Sequence, residues 1–132
     1  MHVLLSIKPE YVEKIFQGTK KYEFRKSIFR RNVKKVCIYS TSPVKKIVGR
    51  FTIVRITAGH PVRLWEKYWA YAGIEKKDFF AYFQAREKGF CIEIGEVEIF
   101  KEPLDPHSLI PGFIAPQSFK YFDPNVQYIS DL

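Results

Sequence analysis

At 132 residues, with 46% hydrophobic and 27% charged side chains, the chain has room and apolar content for one compact domain over residues 1–132 with a core of its own. No apolar run approaches the roughly 20 residues that cross a bilayer. Met1–Lys8 lacks the charged start and long apolar centre of a signal peptide, so a cytoplasmic location and no membrane partner are expected. The net charge of +8 is unevenly spread: residues 1–63 hold 15 Lys/Arg against 3 Asp/Glu (+12), and residues 64–132 hold 7 against 11 (−4). Such asymmetry favours a polyanionic partner, nucleic acid first; no long basic amphipathic helix speaks for a membrane surface.

Val3–Lys8 predicts a first strand, ended by Pro9, which then opens a helix over Pro9–Gln17 with Glu10 and Glu13 near its positive end. Tyr11, Val12, Ile15 and Phe16 form its buried stripe, and Gly18 supplies the positive φ that ends it. From Lys20 the period becomes two. Lys20, Tyr22 and Phe24 fall on one face of a strand, and Lys21, Glu23 and Arg25 on the other. Twist and a bulge bring Lys20 round to join Glu23 and Arg25 at one end. Spacing alone leaves two readings: an edge strand with a solvated charged face, or a polar site backed by an aromatic wall.

Ser27–Val33 predicts a basic loop with Ile28 and Phe29 turned inward. Lys35–Thr41 predicts a strand broken by Ser42-Pro43, and Lys46–Thr57 the longest strand, where Gly49 marks a bulge or a close backbone approach. After a turn at Ala58–His60, a helix is expected from Pro61 to about Ala72, closed by Gly73. A second follows over Phe79–Lys88, capped by Asp78 and closed by Gly89, burying Phe79, Phe80 and Phe83 with Tyr82 at the margin. Phe90–Phe100 alternates apolar and acidic residues around a bulge at Gly95, and residues 102–128 form an aromatic-rich closing segment. Cys37 and Cys91 sit in apolar runs and read as buried free thiols. His2, His60 and His107 are too scattered for metal-ligand spacing, so neither metal nor cofactor is expected. Five or so strands with three interrupting helices give an α+β fold with a small mixed or barrel-like sheet.

Gly18, Lys20, Glu23 and Arg25 match the pattern GxKxxExR, which resembles the signature of the ASCH family. Ser6-Ile7-Lys8-Pro9, the Tyr39–Lys45 segment ahead of a Gly49-containing strand, and Pro116-Gln117-Ser118-Phe119 resemble family members in the same order. The resemblance implies a PUA-like small β-barrel of about five to six mixed strands with three flanking helices. It also implies a cleft, lined by the signature residues, that faces RNA or a nucleotide-derived small molecule. One bacterial branch of the family hydrolyses acetylated cytidine with a Lys, a Thr and a Glu. This chain has Lys20, but Glu23 stands where that branch has its Thr, a departure from that chemistry. Other members are reported to cleave RNA with a metal's help.

In the binding reading, Lys20 and Arg25 meet phosphate or a base edge, and Glu23 accepts from a base amino group or holds the two cations in place. Lys8 joins this set. Ser40, Thr41 and Ser42 offer hydroxyls and backbone N–H groups, and Tyr22, Tyr39 or Phe119 offers a stacking face. Arg30, Arg31, Lys45 and Lys46 contact phosphates outside the cleft. In the enzymatic reading Lys20 is a base whose pKa burial lowers, Glu23 is its partner carboxylate, and Thr19, Ser40, Ser42 or a water is the nucleophile. The sequence therefore predicts a protein that binds RNA or another nucleic acid through a basic cleft, possessed of a regulatory role. A small hydrolase acting on a modified nucleoside or on RNA is the alternative.

Overall fold

Two strands buried on both faces set the frame. The computed structural model describes residues 2–30, 32–110 and 112–122, and the side chains of all of these but Leu109 and Phe122. β1 (His2–Ile7) runs parallel to β3 (Lys35–Ser40), in register from His2↔Lys35 to Ile7↔Ser40. Val3, Leu5, Ile7, Val36 and Ile38 face one core, which also takes Val12 and Ile15 of α1 (Pro9–Gln17), Phe29 and Phe51. Leu4, Cys37 and Tyr39 face the other way, onto Ile47 and Phe113. A parallel pair covered on both sides needs near-continuous apolar sequence, which both strands have.

The full sheet has the order β2-β5-β4-β3-β1-β6, with β2 at Tyr22–Arg25, β4 at Lys46–Gly59, β5 at Gly89–Leu104 and β6 at Phe119–Phe122. It is an α+β fold in which a six-stranded mixed sheet curls into a half-barrel. The curl has a direct measure: Arg25 on β2 donates to the Ser6 carbonyl on β1 at 2.7 Å, although three strands lie between them in the sheet order. Opposite β4, Gly95 and Glu96 of β5 together face Thr52, the expected bulge, and the Thr52 hydroxyl accepts from Glu96 N–H at 2.8 Å.

α2 (Pro61–Tyr68) ends four residues before the expected Ala72, its chain tightening into a 3₁₀ turn over Trp69–Tyr71. α3 spans Lys76–Tyr82, not Phe79–Lys88, and Glu75 rather than Asp78 precedes it. The physical reason is that Gln84–Lys88 has no apolar face to bury, so nothing pays for further turns; Gly89 instead opens β5. Phe79 and Phe83 are buried as expected, with Leu64, Tyr68, Ala72, Cys91 and Phe24, in an aromatic cluster beneath α2 and α3. A four-residue α4 (Pro106–Leu109) adds a fourth helix. Among the described residues no helix is long and apolar enough to cross a membrane.

Candidate functional site

Among the described residues β2 is an edge strand, paired only with β5. It begins at Tyr22, so Lys20 and Lys21 precede it instead of opening it as expected. Their backbone is already committed elsewhere. Gly18, at φ +84°, ends α1, and the N–H groups of Thr19 and Lys20 then both turn back to the Lys14 carbonyl at 3.0 and 3.1 Å. Lys21 N–H goes to Tyr71 O at 2.8 Å. Within β2 the alternation holds. Tyr22 packs on Tyr68 and Phe24 on Phe79, with centroids 4.5 and 4.9 Å apart, while Glu23 and Arg25 turn the opposite way.

The solvated-edge reading fails on burial: Lys20, Glu23 and Arg25 are only 3%, 6% and 8% exposed. Lys20 Nζ donates to Ala72 O at 2.6 Å and lies 3.6 Å from Glu23 Oε1. Glu23 Oε2 accepts from Arg25 Nη2 at 2.6 Å. One carboxylate therefore stands between two cations, which leaves one formal positive charge in excess. The Tyr11 and Phe24 rings add cation–π contacts at 5.2 and 5.4 Å from Lys20 Nζ. Burial pushes the Lys20 pKa down; the Glu23 charge resists this and Arg25 reinforces it. Arg25 Nε is buried with no hydrogen-bond partner. The closing segment helps hold the seam: the Ser6 hydroxyl donates to Pro116 O at 2.6 Å, and Ser6 N–H to Ser118 O at 3.0 Å.

Above this triad opens a cleft of about 740 Å³, bounded by the end of β1, the start of α1, β2, α3 and Pro116-Gln117. That size suits a small molecule or one nucleotide unit. Its charged lining is Lys8, Lys20 and Arg25 against Glu10, Glu23 and Asp78. The expected basic cleft is thus formally balanced, because α1 and α3 each bring a carboxylate to it. Lysines stand beside its rings: Lys26 Nζ is 4.7 Å from the centre of the Tyr82 ring, and Lys14 Nζ is 5.9 Å from that of Tyr11.

The structure brings Lys8, Lys20, Glu23, Arg25 and Thr41 together in the cleft lining. Ser40 is buried at the end of β3, Ser42 is exposed in the next turn, and neither lines the cleft. Lys45 and Lys46 follow that turn outside the lining; Arg30 is exposed, its backbone N–H on the Tyr121 hydroxyl at 2.6 Å; Arg31 lies outside the described residues. None of the expected stacking faces borders the cleft. Tyr22 is taken up by Tyr68, Tyr39 by Phe113 at 5.5 Å and Phe119 by Phe29 at 5.7 Å. Tyr11 and Tyr82 line it instead. Tyr11 is the stripe residue nearest the start of α1 and Tyr82 the margin residue of α3, so each carried a positional signal. Asp78 reads in sequence as a cap, which hid its place in the wall.

Of the hydroxyl candidates, Thr19 donates to Lys14 O at 3.3 Å, away from the triad's carboxylate. Among the described residues no group of three or more His, Cys, Asp or Glu stands where it would hold a metal ion.

The ASCH domain family model matches residues 5–109. Among curated proteins the chain is similar to the large ribosomal subunit protein uL22 of Ureaplasma parvum, 27% identical over 122 residues, which are 90% of this chain and 38% of that protein. It is similar to the ATP synthase subunit alpha of the same species, 29% identical over 104 residues, 78% of this chain and 13% of that protein. It is also similar to an ASCH domain-containing ribonuclease of Zymomonas mobilis, 31% identical over 86 residues, 64% of this chain and 58% of that protein. The chain thus spans less than two thirds of the length of each of these relatives. The crystal structure of the ASCH protein from Zymomonas mobilis matches with a TM-score of 0.90 at 24% identity, covering 98% of this chain and 93% of that one. A mutant of the same protein matches at 0.91 and 24%, covering 99% and 97%.

Proposed function

The chain belongs to the ASCH domain family, and on that premise we propose that it binds RNA by drawing one unpaired nucleotide into the cleft while neighbouring lysines hold the backbone. The observation that carries this reading is the buried Lys20–Glu23–Arg25 triad beneath a cleft of one-nucleotide size with a balanced charged lining. A groove for phosphates alone wants cations. A base edge presents donors and acceptors together and is matched by cations and carboxylates side by side. Tyr11 and Tyr82 supply faces for stacking, worth about 1–3 kcal/mol per base. Lys8, Lys14 and Lys26 meet the backbone.

The test is fluorescence anisotropy with single-stranded RNA across a salt series. Tyr82→Ala should weaken binding at every salt concentration, and Lys26→Ala should reduce the salt slope by about one. Absence of binding by the wild type, or wild-type affinity in both Tyr82→Ala and Lys20→Met, overturns the reading.

A second reading, RNA cleavage, draws on the Zymomonas relative's name and on Lys20, whose lowered pKa beside Glu23 suits a proton-transfer group. End-labelled RNA cut by the wild type and left whole by Lys20→Met, with and without added divalent cations, supports it. RNA left whole by the wild type under all these conditions discards it.

A further inference from the structure

From the Trp69–Tyr71 turn we infer that single-stranded RNA leaving the cleft continues over a second stacking platform made of Trp69 and Tyr71 and flanked by lysines. This rests on the RNA-binding reading and extends it to a surface outside the cleft.

Trp69 and Tyr71 are 61% and 48% exposed, the large aromatic side chains most open to solvent among the described residues. The other exposed large hydrophobics are aliphatic. Their exposure follows from the 3₁₀ turn, which aims Ala72 inward at 0% exposure and leaves its neighbours outside. The surroundings are basic. Lys21 Nζ lies 4.3 Å from the centre of the Tyr71 ring and Lys67 Nζ 5.3 Å from that of Tyr68. From residue 61 to 77 the chain carries Arg63, Lys67, Lys76 and Lys77 against Glu66 and Glu75. Aromatic faces interleaved with lysines are what a single strand needs: bases stack, and phosphates are neutralised.

The platform is also continuous with the cleft. Tyr71 O accepts from Lys21 N–H, Ala72 O from Lys20 Nζ and Gly73 O from Lys14 Nζ, and Ile74 lines the cleft wall. Ile74 is three positions on from Tyr71, at most about 11 Å of extended chain. The two places are therefore near enough for one strand to reach both.

The experiment measures binding of a nucleoside monophosphate and of a ten-nucleotide single-stranded RNA to the wild type, Trp69→Ala, Trp69→Phe, Tyr71→Ala and Tyr82→Ala. Trp69→Ala and Tyr71→Ala should weaken the ten-mer by about five- to 150-fold each and leave the mononucleotide unchanged. Trp69→Phe should restore most of the loss, and Tyr82→Ala should weaken both ligands. Wild-type affinity for the ten-mer in both platform variants overturns the inference even where Tyr82→Ala shows that the cleft binds. Self-association of the wild type that Trp69→Ala abolishes, with ten-mer affinity unchanged, assigns the patch to a second copy and also overturns it. Failure of the wild type to bind either ligand removes the underlying reading instead.

Discussion

Replacing Gly73 with alanine should dislodge Lys20 without altering a single charged group. Gly73 has φ +64°, where a residue with a Cβ costs about 1–2 kcal/mol. An added Cβ would also lie under 3.0 Å from Cβ, Cγ and Cδ of Lys20. The lysine is held in place: its side chain is 2% exposed, with Ala72 O on one side and the Tyr11 and Phe24 rings on the other. Overpacking adds about 1–3 kcal/mol, and losing the charged hydrogen bond about 1.5–3 kcal/mol. These effects overlap, so we expect about 3–5 kcal/mol in all. Gly18 is the internal control. It has φ +84° but nothing within 4 Å of an added Cβ, so Gly18→Ala should cost only about 1–2 kcal/mol. Urea unfolding of the two variants, followed by tryptophan fluorescence, compares them. Equal midpoints for Gly73→Ala and Gly18→Ala would show that Lys20 is not clamped, and the reasoning about the triad would fall with it.

Two further changes probe the buried charges. Glu23→Gln leaves Lys20 and Arg25 facing each other without a carboxylate and should destabilise the fold by about 3–5 kcal/mol in the same assay; a loss below about 1 kcal/mol would mean that the pair is solvated after all. Burial pushes Cys37 and Cys91 from the usual 9.0 up to about 12, so both states keep their protons below pH 9, and above it the unfolded chain loses them first. Their contribution to stability should fall as pH climbs from 9 toward 12, and native protein at pH 8 should resist iodoacetamide that labels the unfolded chain; equal labelling rates would contradict the burial.

Local signals carried most of the backbone. Pro9 and Gly18 bracket α1 at the residues the sequence marks, since one fixes φ and the other supplies a conformation that branched residues avoid. The ionic triad was legible only as one of two readings, because spacing alone also allowed a solvated charged edge and burial had to decide between them. What the sequence hid was pairing at a distance. No spacing rule says that Ala72 O will meet Lys20, that Asp78 will line the cleft instead of capping a helix, or that Pro116 will receive the Ser6 hydroxyl. The aromatics misled for a related reason. Tyr22, Tyr39 and Phe119 flank the charged motifs in sequence, but each lies on a strand face that the core covers.

Charge shows the same limit and has a consequence for recognition. Counting by halves places +12 in residues 1–63, yet folding lays the acidic second half across the basic first half. The β4·β5 pairing sets Arg50 on Glu98 at 2.7 Å and Arg55 on Glu93 at 3.1 Å, and α3 carries Asp78 to a cleft that already holds Glu10 and Glu23. A cation that must give up a carboxylate to meet a phosphate exchanges one anion for another and gains little. If the chain binds RNA as proposed, the electrostatic part of that binding belongs to lysines beside the aromatic rings, such as Lys14, Lys21 and Lys26, and not to the whole positive half. In the same reading the balanced cleft would contribute through hydrogen bonds and stacking, which salt screens far less. On the proposed reading, discrimination among bases would reside in the cleft, while the lysines would set how tightly any strand is held.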